Sequence, residues 1–261
     1  MRFRLASGIA LSAVLAFVAG KPSRLSGATV LSDGTFSNAN WTLVSTQLPG
    51  NGGTITTTQE AAGGNTGAYR FIQDQVNAGS AAPNLSGVFG VQLNSLGTYN
   101  PGVSGAIGSI SFSIDYNCAV NPASPTNTGA CVQQGMGFGL AMQQGGNIYT
   151  MNDLLLTFVP GAWTNSTTNN LTASSFGQPS DTGNGYSTDT QHPDFSASGG
   201  IITFGLFNVN HAGAGAYETD AGFDNWSVTI DQASAPEPGS LALFSLGALA
   251  MGGLALRTKR R

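Results

Sequence analysis

The fold of this chain is decided by the stretch Ile110-Ser-Phe-Ser-Ile-Asp-Tyr116, in which every second residue is apolar. The side chains of a β-strand point alternately to its two faces. An alternation of period two is therefore typical of a strand with one buried and one solvated face. The stretch predicts a strand that turns Ile110, Phe112, Ile114 and Tyr116 toward a core.

Residues 136–142 and 226–230 repeat this alternation. Residues 154–159 and 201–209 are denser in apolar side chains, as expected of strands covered on both faces. Weaker candidates are residues 41–46, 54–58, 69–76 and 88–93. No stretch between these strands repeats apolar residues at helical spacing over three turns. The pattern predicts one all-β domain, residues 29–232, folded as a two-sheet antiparallel β-sandwich of the jelly-roll type.

Both ends of this region resemble known β-sandwiches. Leu31-Ser-Asp-Gly-Thr-Phe36, followed by Trp41, resembles the opening strand of galactose-binding-like and carbohydrate-binding jelly rolls. Ala221-Gly-Phe-Asp-Asn-Trp-Ser-Val-Thr-Ile230 resembles their closing strand. The resemblance implies that the first and last strands pair and that the domain binds sugar. Trp41, Trp163 and Trp226 could stack on sugar rings, although at least two lie in strand patterns and are expected in the core.

Charge is distributed unevenly along the chain. Residues 28–235 contain one basic side chain, Arg70, and twelve acidic ones, so their net charge is −11 with His neutral. An acidic region of this kind repels phosphate backbones, which excludes nucleic acid as a partner. Divalent cations such as calcium are more natural partners.

Four carboxylates are calcium candidates. Asp181 and Asp189 bound the stretch Asp-Thr-Gly-Asn-Gly-Tyr-Ser-Thr-Asp, which has the composition of a calcium loop without the spacing of an EF-hand. Asp33 and Asp224 are added, together with Asn225, because pairing of the opening and closing strands would bring them near each other. The alternative for residues 181–189 is a solvated loop that uses Asp, Asn and Gly for its turns.

Glu218, Asp220 and Asp224 suggest a hydrolase, because carboxylates at i and i+2 of a strand lie on one face. Ala221 and Gly222 interrupt the pattern, however, and we interpret the segment as a loop that enters the final strand. We therefore predict no catalytic residues and no enzymatic activity.

The C-terminus predicts a membrane anchor. Pro236-Glu237-Pro238 precedes an apolar run, and the chain closes on the basic residues Arg257, Lys259, Arg260 and Arg261. We predict a transmembrane helix over residues 239–256, about 27 Å long, which is short for a hydrocarbon core. The basic tail, residues 257–261, is expected to stay in the cytoplasm.

This order of motif, helix and basic tail closely resembles the PEP-CTERM sorting signal, which we place at residues 233–261. The resemblance implies recognition by an exosortase and transient insertion into the inner membrane. It also implies cleavage near the Pro-Glu-Pro motif, after which the protein is at the cell surface or outside the cell.

The N-terminus agrees with export. Arg2 and Arg4 precede an apolar stretch, residues 9–19, and small residues follow it. This pattern predicts a signal peptide, residues 1–28, that is cut after Gly20 or after Ala28.

Cys118 and Cys131 are the two cysteines of the chain, and both lie in the exported region. We predict that they form a disulfide, because export places them in an oxidising compartment.

These patterns predict an exported bacterial protein of the cell surface or extracellular matrix, with a structural or adhesive role. One alternative is a calcium-dependent carbohydrate-binding module that contacts exopolysaccharide. A glycan hydrolase is the last hypothesis.

Overall fold

Two six-stranded antiparallel β-sheets form a sandwich in the computed structural model, which describes residues 27–81, 84–118, 136–152 and 162–234. The predicted all-β sandwich is therefore confirmed. All of the described residues belong to one compact unit.

The first sheet, sheet A, runs in the order β3 (Gly53–Gly64), β4 (Gly67–Val76), β14 (Tyr217–Gln232), β6 (Ile107–Cys118) and β9 (Thr164–Leu171), with β1 (Thr29–Asp33) also paired to β14. The second, sheet B, runs in the order β10 (Phe176–Gly177), β8 (Asn147–Met151), β7 (Gly137–Gln144), β13 (Ile202–Ala212), β5 (Ser86–Tyr99) and β2 (Trp41–Gln47). The described residues also form a small hairpin, β11 (Pro179–Asp181) and β12 (Tyr186–Thr188), one helical turn, α1 (Pro101–Ser104), and a 3₁₀ turn, Ala173–Ser175.

The core lies between the two sheets, and its residues are the apolar half of each alternating strand. In β6, Ile110, Phe112, Ile114 and Tyr116 are all buried, as their spacing predicts. Phe138 of β7 meets Phe223 of β14 edge to face, with ring centroids 5.1 Å apart. Side chains of the two sheets therefore interdigitate across the sandwich.

β14 is the central strand of sheet A. It pairs with β6 on one side, and on the other side its first half pairs with β4 and its second half with β1. The expected pairing of the first and last strands is thereby confirmed. The interpretation of residues 218–224 as a loop is wrong, because β14 already begins at Tyr217. Gly222 does not break the strand, because β14 runs through it, and a β-carbon there would lie 3.0–3.1 Å from two aromatic rings.

Sheet B is buried on both faces, and the β11–β12 hairpin packs on its outer side. The Tyr186 ring of this hairpin stacks on Phe207 at 5.4 Å and on Phe89 at 5.7 Å. The dense apolar pattern of residues 201–209 predicted such a doubly covered strand, and this prediction is confirmed for β13.

Several predicted features lie outside the described residues: the signal peptide up to residue 26, the strand over 154–159, Cys131 and the sorting segment from residue 235. Cys118 ends β6, and its pairing with Cys131 stays a prediction. No helix within the described residues is long and apolar enough to cross a bilayer.

Candidate functional site

Four polar side chains meet on the outer face of sheet A, and we call them the amide cluster. Its centre is the carboxylate of Asp115 on β6. Asn65 and Asn225 donate their Nδ2 hydrogens to Asp115 Oδ2 over 2.6 and 2.7 Å. Asn165 donates its Nδ2 hydrogen to Asp115 Oδ1 over 2.7 Å.

The cluster forms because four separate elements converge on this face. Asn65 lies in the turn between β3 and β4, and Asn165 lies opposite Asp115 on β9. Asn225 lies in a β-bulge between Asp224 and Ser227 of β14, with a left-handed φ of 50°. A bulge re-aims a side chain and is common next to functional sites. Without it, the alternation of β14 would turn Asn225 toward the core.

Two carboxylates lie directly opposite each other in this site, since Asp224 of β14 pairs with Asp115 of β6. Like charges at opposed positions repel, so each carboxylate needs its own donors. Asp224 accepts the backbone N–H groups of Thr66 and Asn225 over 3.1 and 2.7 Å. The β3–β4 turn approaches so closely that a β-carbon on Gly64 would lie 2.7 Å from Asp224 Oδ2.

The amide donors keep Asp115 ionised. Partial burial on its own would raise the pKa of Asp115, but the hydrogen bonds from Asn225, Asn165 and Asn65 outweigh burial and hold that pKa below its ordinary value. Each asparagine donates from Nδ2 to Asp115, so its Oδ1 points away from that carboxylate and can accept a hydrogen bond from another group. Asn165 Oδ1, for example, accepts a hydrogen bond from the Thr167 hydroxyl over 3.0 Å.

An aromatic pair lies beside the amide cluster. The half-buried ring of Trp163 meets the ring of Tyr69 edge to face, with centroids 5.6 Å apart. Trp163 Nε1 donates to the carbonyl of Gly63 in the adjoining β3–β4 turn over 3.2 Å. Both rings pack over Gly222, where a β-carbon would lie 3.0 Å from Trp163 and 3.1 Å from Tyr69. The site therefore combines a partly exposed aromatic ring with amides and hydroxyls that are fixed around two buried carboxylates.

Asp33 and Asp224, two of the calcium candidates, are near in register but bind different groups. Asp33 opposes Trp226 in the β1–β14 ladder. Its carboxylate accepts Trp41 Nε1 over 2.8 Å and the backbone N–H groups of Thr35 and Phe36 over 2.7 and 2.9 Å. Asp33 thus fixes a turn and the indole of a core tryptophan, whereas Asp224 faces the β3–β4 turn.

Asp181 and Asp189, the other two candidates, belong to the β11–β12 region. Asp181 Oδ2 lies 2.9 Å from His211 Nε2, and Asp189 Oδ1 accepts the backbone N–H groups of Gln178 and Gln191 over 2.9 Å each. Across the residues that the structure describes, no three His, Cys, Asp or Glu side chains gather in a group that could hold a metal ion. Calcium binding at these four residues stays a prediction.

Glu218, Asp220 and Asp224 lie on one face of β14, as the i, i+2 argument predicts for a strand. Asp220 and Asp224 are fully buried, however, and Asp220 accepts Gln73 Nε2 over 3.1 Å. A glycosidase needs two carboxyl groups that reach the scissile bond. Buried carboxylates at both positions speak against the hydrolase hypothesis.

Trp41 and Trp226 are core residues, as expected, and their rings meet edge to face at 5.5 Å. Asn65, Asp115, Asn165 and Tyr69 were not singled out in the sequence. The alternation of residues 110–116 does place Asp115 on the outer face. Its asparagine partners come from three other elements, and no local pattern connects them.

Residues 234–261 match the PEP-CTERM protein-sorting motif. The match confirms the sorting signal predicted from Pro236-Glu237-Pro238 and the basic tail. It marks the protein as exported and as processed or anchored at the cell envelope by an exosortase, and so as a protein of the cell surface or extracellular space.

No curated protein matches the chain. Among solved structures, a family 11 carbohydrate-binding module from Clostridium thermocellum is 14% identical, with 81% of this chain and 99% of the module covered and a TM-score of 0.42. A tandem carbohydrate-binding domain of Xyn10C from Paenibacillus barcinonensis is 12% identical, with 84% and 50% covered and a TM-score of 0.37. A Stig cyclase from Fischerella sp. TAU is 10% identical, with 78% and 90% covered and a TM-score of 0.35. Likeness at this level carries no argument about function.

Proposed function

We propose that this exported protein has an adhesive role and that it binds neutral polysaccharide, without catalysis, through the amide cluster and Trp163. The observation that carries this proposal is the convergence of Asn65, Asn165 and Asn225 on the Asp115 carboxylate, next to a partly exposed indole. Sugars offer many hydroxyl groups and an apolar ring face. Fixed amides bind hydroxyl groups, and an aromatic ring packs against the apolar face.

Preorganisation supports the proposal. The asparagine side chains are already held by Asp115, so little side-chain entropy remains to be lost when a ligand binds. The Trp163 ring is also held before a ligand binds, because it packs against Tyr69 and over Gly222. An adhesive protein that needs many weak contacts gains from such rigid, solvent-facing polar groups.

The charge of the body favours a neutral glycan over an acidic one. Arg70 is the one basic side chain in residues 28–235. It is buried, and its guanidinium donates to Gln92, Asn38 and Thr57 over 2.6–2.8 Å. The described part of the chain therefore presents no exposed Lys or Arg that could pair with the carboxylates of a uronic-acid polymer.

A glycan array that carries both neutral and uronic-acid polysaccharides tests the proposal on the mature protein from its native host. We expect binding to neutral glycans, and a loss of about tenfold or more, roughly 1.4 kcal/mol, in Trp163→Ala and in Asn165→Ala. Asn147→Ala removes an exposed asparagine from β8 of sheet B and should bind as the wild type does. Binding that survives both site variants, or no binding to any neutral glycan, would refute the proposal.

The calcium-dependent form of carbohydrate binding is the second candidate and rests on Asp33, Asp181, Asp189 and Asp224. It predicts that calcium raises the melting temperature of the mature protein and that EGTA lowers it. Equal melting temperatures in both solutions would remove its basis while leaving the calcium-independent site intact.

A further inference from the structure

The triplet Gly-Asn-Gly occurs twice in the chain, at residues 50–52 and 183–185, and both copies lie between consecutive strands. An asparagine that precedes glycine can lose its side-chain amide, because the next backbone nitrogen can attack Cγ of the carboxamide. Glycine permits this attack best, since it has no β-carbon to restrict the backbone. The sequence context is nearly the same in the two copies, so the fold decides how easily the carboxamide and the nitrogen meet.

The first copy is held by hydrogen bonds. Asn51 Nδ2 donates to the carbonyl of Ala78 over 2.7 Å, and the Asn51 backbone N–H donates to the Ser86 hydroxyl over 3.0 Å. The N–H of Gly52, which is the attacking group, donates to the carbonyl of Pro49 over 3.0 Å, and Gly52 is buried. Both the carboxamide and the nitrogen must therefore break a hydrogen bond before they can meet.

The second copy lies at the tip of the β11–β12 hairpin and is held differently. Asn184 is exposed, and among the described residues no hydrogen bond holds its carboxamide. Within the same part of the chain, no turn hydrogen bond takes up the N–H of Gly185. A β-carbon on Gly185, which has a φ of +102°, would have no neighbour within 4 Å. The two reacting groups are therefore free to rotate toward each other, and water reaches them.

We propose that Asn184 is a site of spontaneous covalent modification, at which the folded protein converts asparagine to aspartate and isoaspartate while Asn51 stays intact. The Gly185 nitrogen bonds to Asn184 Cγ and closes a succinimide ring, and the bond from Cγ to Nδ2 breaks. Nδ2 leaves as ammonia with the electron pair of that bond and the proton of the Gly185 N–H. Water then opens the ring at either carbonyl carbon and gives aspartate or isoaspartate. Water is the co-reactant, and nothing is oxidised or reduced.

Isoaspartate at this position changes the hairpin, because it adds a carbon to the main chain between β11 and β12. Asp181 and Tyr186 are opposed in the hairpin ladder on either side of the tip, and a longer connection disturbs this register. The Tyr186 ring stacks on Phe89 and Phe207 of sheet B. Modification at Asn184 is therefore expected to loosen the cover of sheet B. It leaves the proposed glycan site intact, because the amide cluster lies on sheet A.

Ageing of the mature protein in mildly alkaline buffer tests the proposal, once with the protein folded and once in guanidinium chloride. Mass spectrometry follows the peptides that contain Asn51 and Asn184, with fragmentation that distinguishes isoaspartate from aspartate. In the folded protein we expect Asn184 to react at least about tenfold faster than Asn51, because Asn51 reacts only when its turn opens locally. In denaturant the two rates should converge.

Two results would overturn the proposed site. One is an Asn184 that stays intact in the folded protein or reacts no faster there than Asn51. The other is a difference between the two rates that persists unchanged in denaturant, because the local sequence and not the fold would then set the rates. Asn184→Gln is the matched variant, since it keeps an exposed carboxamide but must close a larger and less favourable ring. Its peptide should keep its mass during ageing.

Hydrogen exchange at Leu85 tests the effect on the hairpin, because the Leu85 N–H donates to the carbonyl of Gly183 over 3.1 Å. We expect faster exchange in the aged wild type than in aged Asn184→Gln. Fresh Asn184→Asp carries the added charge without the added carbon and should exchange as slowly as the fresh wild type. Equal exchange in the aged wild type and aged Asn184→Gln would show that the hairpin stays docked, which contradicts the expected loosening.

Discussion

Asp74 and Asp115 are both held by asparagine amides, but Asp74 lies between the two sheets and Asp115 lies at the outer surface of sheet A. Asp74, on β4, accepts Asn208 Nδ2 over 2.8 and 3.0 Å and Asn210 Nδ2 over 2.9 Å, so β13 holds it from the opposite sheet. Burial raises the pKa of Asp74 to about 7 even though these hydrogen bonds oppose the shift. The pKa of Asp115 is lowered.

Amide donors alone therefore do not decide the protonation of a carboxylate. Both residues accept three short hydrogen bonds from asparagine. Asp115 is less deeply buried, with 6% of its surface exposed, and the donors prevail there. Asp74 has a protein interior on every side, so the free energy of removing its charge from water prevails.

The largest effect is expected for Asn208→Ala, because this change removes two of the three hydrogen bonds to a carboxylate in the core. We expect the free energy of unfolding at pH 7 to fall by about 3 kcal/mol, as for a buried hydrogen bond to a charged group. Chemical denaturation of the mature protein measures the change.

Asn165→Ala is the matched variant at the surface. It removes one of three donors to Asp115, beside solvent that can replace it, so we expect a loss below about 1 kcal/mol. Equal losses in the two variants would show that burial does not distinguish the two carboxylates.

The next largest effect is a dependence of stability on pH. Folded Asp74 keeps its proton up to about pH 7, whereas its ordinary pKa is 3.8, so the stability that the protonated form contributes is lost as the pH rises between these values. Asp220, with a pKa raised to about 6 by burial, acts in the same direction. Each unit of pKa difference corresponds to about 1.4 kcal/mol, so the two units that Asp74 spans between pH 5 and about 7 should make the protein about 2–3 kcal/mol more stable at pH 5 than at pH 8, and Asp220 adds to this difference.

Thermal or chemical denaturation across this pH range checks the sign. Below pH 4 the trend should reverse, because Asp33 and Asp115 have lowered pKa values and lose stabilising charge on protonation. Asp74→Asn should flatten the rise between pH 8 and pH 5. An unchanged slope in this variant would assign the pH dependence to another group.

The sequence was sufficient to predict the sandwich because burial imposes a period of two on each strand. β6 and β13 show this directly, since the alternation in one and the apolar run in the other match the faces they bury. β9 was missed because Thr, Asn and Ser on an edge strand with a solvated face leave no apolar pattern. The interpretation of Gly222 as a break places the start of β14 too late, because Gly222 lies inside the strand and packs tightly against two aromatic rings.

The site was less predictable than the fold. Asp224 and Asn225 were chosen as candidates on the expectation that β1 and β14 pair, which they do. Asp224 instead contacts Thr66, in the β3–β4 turn, and Asn225 contacts Asp115, on β6. Both partners are far away in the chain. Such a cluster depends on register and on a bulge, and neither is encoded in a local pattern of residue types.

A smaller effect is expected for Gly222→Ala, which changes the packing beneath Trp163 beside the amide cluster. The added β-carbon would press on Trp163 and Tyr69 at 3.0–3.1 Å, and such overpacking costs about 1 kcal/mol. We expect tryptophan emission to move to longer wavelength and glycan binding to weaken as Trp163 is displaced. Gly200→Ala is the control, because its nearest neighbour would be 3.9 Å away. If both variants keep wild-type emission, Gly222 does not position the indole.

The smallest change in stability is expected for Asn225→Gly, and it tests whether the amides set the charge of Asp115. Glycine accepts the left-handed φ of 50° at this position without strain, so only the hydrogen bond to Asp115 is lost and the free energy of unfolding should fall by about 0.5 kcal/mol. Of the three asparagine hydrogen bonds that oppose the effect of burial, Asp115 loses the strongest, so the pKa of Asp115 should rise in an NMR titration of the carboxyl group. Asn225→Ala removes the same amide but adds the strain of a left-handed alanine, about 1 kcal/mol. The two variants should therefore share one pKa for Asp115 while differing in stability. A pKa that stays at the wild-type value in both would mean that solvent exposure, and not the asparagine donors, separates Asp115 from Asp74.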